Sequence, residues 1–405
     1  MSRKPPIDVK QFIDAQRFSP YQWLIFALCF MVVVMDGYDT VAIGYVAHSI
    51  AHGWGVSREA LGPVMSAALI GLGVGAFVGG PLADRFGRKG VIAGSTVLFG
   101  SFSALSSVAA TLDALTVFRF LTGVGLGAAM PNSVALMSEY APARVRSLTV
   151  NSQLMGFSAG MAVAGAASAW LIQKFGWQSV FLVGAMGPLV LAVLLITFLP
   201  ESVQFLVLHG SNETSIARIL RRLSSTADLA NVTFTLESEE PRNAQRTRAL
   251  ILSRKYRIGT LLLWVVYFMH LTVYYLLAGW LPTLFRDAGF SLQEASLISS
   301  IFPVGGVLGT VFVGYVMDRI DAKRVVGWIY TCVAILALVA GQALGIPILL
   351  CVFMFLAGAM VTSAGISLST IAAQYYDSAC RGTGVSWITQ SADLGGCSEC
   401  SRARH

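Results

Sequence analysis

The stretch Gly80-Pro81-Leu82-Ala83-Asp84-Arg85-Phe86-Gly87-Arg88-Lys89 has an echo much later in the chain, at Gly314-Tyr315-Val316-Met317-Asp318-Arg319-Ile320-Asp321-Ala322-Lys323-Arg324. In each copy a glycine is followed, after three residues, by Asp-Arg and a basic cluster, and each copy ends an apolar run. Two ordinary turns with basic flanks would have no reason to share the Asp-Arg pair at matched places in two series of apolar runs. The pair therefore marks an internal repeat, the pattern of membrane proteins built from two related halves.

Working outward from these loops, apolar runs of about twenty residues recur down the chain. That is the length needed to cross about 30 Å of hydrocarbon at about 1.5 Å per residue. They predict ten spans, at 22–45, 60–82, 90–111, 113–137, 150–173, 178–199, 258–283, 292–317, 325–342 and 347–376. Composition agrees: 55% of the 405 residues are hydrophobic and 12% charged, where a soluble domain carries about a quarter charged residues. The expected fold is an all-α membrane protein of two pseudo-symmetric helical halves. Its expected parts are a cytoplasmic N-terminal segment (1–21), a six-helix half (22–199), a polar cytoplasmic loop (200–257), an incomplete second half (258–388) and a tail (389–405). Residues 1–20 are mixed and polar, so the first apolar run reads as a span and not as a cleaved signal.

The formal net charge of +7 raises the question of nucleic acid, and its distribution answers it. With the N-terminus inside, twenty-two of the 28 basic residues fall in inside segments and three (Arg58, Lys174 and Arg286) fall outside. This is the positive-inside bias of a membrane protein, so the excess is a topology signal and no nucleic-acid partner is expected. Of six cysteines, Cys29, Cys332 and Cys351 lie within apolar runs, which predicts buried thiols and no disulfide framework. Cys397 and Cys400 form a lone CxxC with no further ligands placed for a metal. Gly123-Val124-Gly125-Leu126-Gly127 resembles a dinucleotide loop, but it sits inside an apolar span. With Gly71, Gly75 and Gly79 it predicts close helix packing.

Two carboxylates, Asp36 and Asp39, lie about one helical turn apart in the first span, which puts both on one face. A carboxylate at membrane depth costs about 2.5–3.5 kcal/mol on insertion scales, so a pair calls for a use. Burial and a like-charged neighbour each disfavour ionisation of a carboxyl, which suits proton coupling. The alternatives are an interfacial position or a structural pair with a basic residue. Arg119 is the one basic residue inside a predicted span; its planar fork matches a carboxylate. That carboxylate is a substrate's, or that of Asp36 or Asp39; otherwise Arg119 snorkels to the outer surface. Tyr267, His270 and Tyr274 fall within about 60° of one another on the seventh span. They form either an aromatic pocket that stacks on a ring and bonds a phenol or carboxylate, or an interface stripe.

The first loop matches the signature G-x-L-A-D-R-x-G-R-K of the major facilitator superfamily at every defined position. Met35-Asp36-Gly37-Tyr38-Asp39-Thr40 further resembles the D-G-x-D-T of its aromatic acid:proton symporters. So do Leu61-Gly62-Pro63-Val64-Met65, Arg119-Phe120-Leu121-Thr122-Gly123, Ser138-Glu139-Tyr140, Leu199-Pro200-Glu201-Ser202, Trp280-Leu281-Pro282-Thr283-Leu284 and Arg381-Gly382-Thr383-Gly384. The resemblance spans about residues 8 to 388. It implies proton-coupled uptake of aromatic carboxylates, such as 4-hydroxybenzoate or protocatechuate, across a bacterial inner membrane by alternating access. It implies a monomer with no cofactor and no metal. Asp36 and Asp39 would carry coupling, and Arg119 and Glu139 would hold the substrate carboxylate or gate it. Gly80, Asp84, Arg85, Gly87, Arg88 and Lys89, with Asp318 and Arg319, make up the cytoplasmic loop signature, in which Asp84 with Arg85 and Arg88 would control closure of the cytoplasmic side. Benzoate, vanillate, gallate, muconate or another organic acid remains open as substrate, as does a membrane sensor of aromatics. An enzyme is not expected, since no His-rich cluster or nucleophile–base pairing lies at membrane depth.

The family has twelve spans, and here the eleventh starts at Arg381 but gives way to the polar run Thr389–His405. Gln390–His405 can be encoded by codons that, read two nucleotides later, give the apolar I-G-R-L-G-R-L-F-G run expected there. A frameshift is the reading this supports, with poor transport by this chain as the expected consequence. The gene sequence around codon 389 decides it.

Overall fold

A computed structural model describes residues 7–210, 213–224, 232–236, 257–317, 319–320, 322–340 and 347–375. Asp318, the eleventh-span start at Arg381 and the tail from 389 fall outside the described residues.

The described chain is built on ten long helices: α1 (Pro20–Trp54), α2 (Gly62–Phe86), α3 (Arg88–Ser107), α4 (Leu112–Tyr140), α5 (Arg146–Phe175), α6 (Gln178–Phe198), α7 (Arg257–Asp287), α8 (Leu292–Met317), α9 (Ala322–Ala340) and α10 (Pro347–Tyr375). Among the described residues nine helices are long and apolar enough to cross a membrane, and α9 contributes a shorter apolar stretch, Arg324–Leu336. Large apolar side chains such as Phe77, Leu262, Leu308 and Leu338 face outward, fully in place for contact with lipid tails.

Helix ends differ from the apolar windows because caps set them. Helix α1 starts at Pro20, where Ser19 and Gln22 form a capping box, and it runs nine residues past the predicted end to Gly55 at φ +64°. The Gln22 side chain then donates to the Tyr140 carbonyl at 2.6 Å, tying α1 to the end of α4. Cys29 is buried as expected, whereas Cys332 is exposed on α9; an apolar span does not say which of its faces meets lipid.

Segment 200–257 is not a bare loop where it is described. It forms short helices Val203–Leu208 and Glu213–Leu223, and strand Phe234–Thr235 pairs in parallel with Ile7–Asp8. Ile216, Ala217, Leu220 and Leu223 recur at helical spacing and share an apolar cluster with Val9 and Ile13 of the N-terminal helix Val9–Ala15. Asp14 accepts from the Ala143 amide at 2.7 Å and from Arg146 at 3.2 Å, which anchors that segment to the start of α5.

Close packing repeats in both halves. A Cβ on Gly71 would collide with the Phe120 carbonyl, one on Gly75 with that of Val124, and one on Gly127 with that of Leu72. Helices α2 and α4 thus approach backbone to backbone, through the glycines the sequence singled out. In the second half, Gly305 and Gly358 do the same between α8 and α10. The halves touch each other at the end far from the Gly80–Lys89 loop. There Gly44 lies against Gly279, Gly165 against Ser300, and Arg286 within 3.1 Å of His48. Towards the loop end a cavity separates them.

Candidate functional site

The cavity measures about 510 Å³ and is lined by α1, α2, α4 and α5 on one side and by α7, α8 and α10 on the other. Leu72, Leu126, Met130 and Leu154 supply apolar wall, and Asp36, Tyr267, His270, Tyr274 and Tyr275 supply polar and aromatic groups. A volume in the range of about 300–1,000 Å³ with few polar groups on apolar walls is that of a small-molecule site.

Asp36 and Asp39 have different surroundings although three residues separate them. Asp36 is 1% exposed and reaches the cavity, where Thr40, one turn on, donates to its Oδ1 at 3.3 Å. Asp39 turns away from the cavity into the first half. The offset of about 60° between i and i+3 is enough to split the pair between two environments. Asp39 forms an ion pair with Arg119, both side chains being almost wholly buried. A second guanidinium nitrogen donates to Asp39 Oδ1 at 3.3 Å, and Ser103 donates to the same oxygen at 2.8 Å. The guanidinium carbon lies 5.1 Å from the centre of the Phe181 ring, within cation–π range. Arg119 therefore does not snorkel, and its carboxylate partner within the protein is Asp39. Charges so buried are tolerable because they are paired; removing one partner of such a pair costs about 3–5 kcal/mol.

A small second pocket, about 40 Å³, lies between Thr40, Arg119, Tyr275 and Trp280, and shares Leu72, Leu126 and Tyr275 with the large cavity. Arg119 thus sits one side-chain layer behind the cavity wall.

On α7 the predicted stripe is brought together at the cavity. Tyr267 and Tyr274 stand 6.1 and 6.3 Å from the His270 ring, and the Tyr274 hydroxyl points at Met161 Sδ, 3.2 Å away. Phe157 on α5 lies 6.5 Å from Tyr274. These rings offer faces and edges to a planar aromatic guest.

Glu139 does not join Arg119. Twenty residues further along α4, about 30 Å at helical rise, it pairs with Arg88 at 3.2 Å and accepts a hydrogen bond from the Ser202 hydroxyl. Arg88 also donates to Asn132 at 3.2 Å, and Glu201 accepts from the Lys89 and Ser202 amides at 3.1 and 2.8 Å. Gly87 sits at φ +88°, and a Cβ there would collide with the Glu201 carboxylate, so the loop closes on that acid only with glycine. Asp84 and Arg85 are exposed, Arg85 lying 5.2 Å from the Phe86 ring; Gly80 meets open space. In the second loop Arg319 covers Tyr315 at 4.1 Å.

Sequence reasoning missed Ser103, Phe181, Thr40, Tyr275, Thr310 and Thr362. Thr40 had a signal, four residues after Asp36. The others are single residues on distant helices, with no spacing that ties them to the acids.

Fold, repeat and central cavity define a two-half membrane transporter, and the comparisons agree. The chain belongs to the major facilitator superfamily, whose profile matches residues 27–398. It is 45% identical to the 4-hydroxybenzoate transporter PcaK of Acinetobacter baylyi, over 96% of this chain and 85% of that one. It is 46% identical to PcaK of Pseudomonas aeruginosa, over 94% and 85%, and 42% identical to a gallate transporter of Pseudomonas putida, over 95% and 85%. Its fold is similar to that of the xylose transporter XylE of Escherichia coli in a partially occluded inward-open form. The TM-score is 0.73 at 19% identity, covering 96% and 92% of the two chains.

Proposed function

We propose that the transporter this sequence specifies takes up aromatic carboxylates such as 4-hydroxybenzoate together with protons, by alternating access of its two halves, and that the tail 389–405 impairs uptake by this chain itself. The observation that carries the reading is the inter-half cavity, with Asp36 on one wall and the Tyr267–His270–Tyr274 stripe on the other. The 45% identity to a 4-hydroxybenzoate transporter supports the substrate class. The 42% identity to a gallate transporter supports a more hydroxylated acid as second reading.

The energetics agree with a coupled proton. Moving one anion against an interior-negative potential costs about 2.3 kcal/mol per 100 mV, and one proton cancels that charge. Asp36 is the acid in contact with the cavity, so it is the group that exchanges its proton with the aqueous side. Asp39 and Arg119 form a reserve pair behind the wall: a substrate carboxylate or a proton that competes for one partner loosens the other. Arg88, Glu139 and the Gly80–Lys89 loop then set the closure of the cytoplasmic side. The setting is the inner membrane of a bacterium, with the N-terminus inside and the chain acting as a monomer.

The test, like every uptake measurement on the variants, uses proteoliposomes that hold the version with its reading frame restored after codon 389, and follows labelled 4-hydroxybenzoate under an imposed pH gradient. Accumulation that collapses when the gradient is removed is the expected result. Saturable binding without any counterflow would replace the transporter reading with a sensor.

A further inference from the structure

The wall that the second half gives to the cavity holds a polar corner that the coupling chemistry leaves unused. His270 is 5% exposed and lines the cavity, yet its Nδ1 has no hydrogen-bond partner. Its other nitrogen abuts α10 at Gly365, where a Cβ would stand 2.6 Å from Nε2. Three residues earlier on α10, Thr362 lines the same cavity, and its Oγ1 is buried without a partner. Tyr267, Tyr274 and Tyr330 fence the imidazole at 6.1 to 6.3 Å. Among the described residues lining this cavity there is no lysine or arginine.

Two buried, unsatisfied polar groups that line one wall of the same cavity point to a ligand group that completes them. A carboxylate is a poor candidate. It only accepts hydrogen bonds, and without a cation its charge would be buried at high cost. A phenolic hydroxyl both donates and accepts, so it can satisfy the imidazole nitrogen in either tautomer and also pair with the threonine hydroxyl on the same wall. A bare benzoate ring brings nothing to this corner and leaves both groups unpaired.

We propose that His270 and Thr362 form the subsite for a ring hydroxyl, so that the cavity selects hydroxylated aromatic acids over benzoate. The inference rests on the aromatic-acid reading above and adds the group that is recognised and the residues that recognise it. The carboxylate of the guest then lies at the opposite wall, towards the small pocket that Arg119 lines behind Leu72, Leu126 and Tyr275.

Equilibrium binding tests it without depending on transport. The full chain in lipid nanodiscs is titrated with labelled 4-hydroxybenzoate, with benzoate and 4-methoxybenzoate as competitors. Benzoate is expected to bind at least about tenfold more weakly, the size of one hydrogen bond left unmade in a buried site. His270→Phe and Thr362→Val should each bring the two acids to within about twofold, by weakening 4-hydroxybenzoate while leaving benzoate in place. His270→Asn should retain part of the preference. Benzoate binding reports that each variant is folded, and Thr362→Val, which preserves volume, carries the test if His270→Phe does not accumulate. Equal binding of both acids by the unsubstituted chain, or an unchanged ratio in the variants, overturns the subsite. If no aromatic acid binds at all, the proposed function falls with it, a result distinct from binding without discrimination.

Discussion

The two halves share a packing scheme but not a chemistry. In both, the second and fourth helices approach through glycines: Gly71, Gly75 and Gly127 in the first half, Gly305 and Gly358 in the second. Among the described residues, only the first half carries charge at membrane depth around the cavity, as Asp36 and the buried Asp39–Arg119 pair. The second half presents tyrosines, an imidazole and hydroxyls. Repetition of the fold therefore preserved the means of bringing helices together, which depends on backbone approach and tolerates almost any facing side chain. The residues that face the cavity differ between the halves, with a carboxylate on one wall and an imidazole, tyrosines and hydroxyls on the other.

The shared part of this comparison is broken by filling the glycine contacts. Gly71→Leu and Gly305→Leu should each abolish accumulation of folded protein, read as loss of the monodisperse peak in detergent. Survival of one but not the other would show that the packing is not equivalent. Next in size comes the asymmetric part. Arg119→Ala leaves Asp39 buried and unpaired, with an expected loss of about 3–5 kcal/mol, and uptake should vanish together with thermal stability. Asp39→Asn with Arg119→Gln should restore the melting temperature without restoring pH-driven uptake. If Arg119→Ala melts like the unsubstituted chain, the pair is not structural.

A more selective break is Asp36→Asn. Asparagine keeps the shape of the cavity wall at Asp36 and leaves the aromatic wall as it is, so exchange of labelled for unlabelled 4-hydroxybenzoate should continue while accumulation driven by a pH gradient is lost. Accumulation at the original level would remove Asp36 from coupling. The smallest effect is expected at the loop. Arg88 and Glu139 are 25% and 14% exposed, and Glu139 keeps its hydrogen bond from Ser202 when Arg88 is removed. Arg88→Ala should change the uptake rate a few-fold with little change in melting temperature, since Asn132 and Ser202 keep other partners.

Much of the architecture was legible because lipid imposes simple rules. Ten apolar windows became ten helices, and the glycines at four-residue spacing became contact surfaces, since both depend on local composition. Helix ends were less legible: Ser19 and Gln22 lengthen α1 through a cap that a hydropathy window does not register. The short helices within the central segment were not legible for a related reason. Ile216, Leu220 and Leu223 are a modest apolar stripe in a polar stretch, and their burial depends on the N-terminal helix that covers them.

At the site, the sequence by itself determined which residues carry charge into the membrane: Asp36, Asp39 and Arg119 stand out because charge there is costly. It also placed Tyr267, His270 and Tyr274 on one face. Only the tertiary structure decided how the charges are shared. Asp36 faces the cavity, Asp39 is held by Arg119 and Ser103, and Glu139 belongs to the loop cluster with Arg88. A turn of helix fixes the angle between two side chains, but which neighbour stands at each angle is set by helices 60 to 140 residues away, and no spacing within one helix encodes that.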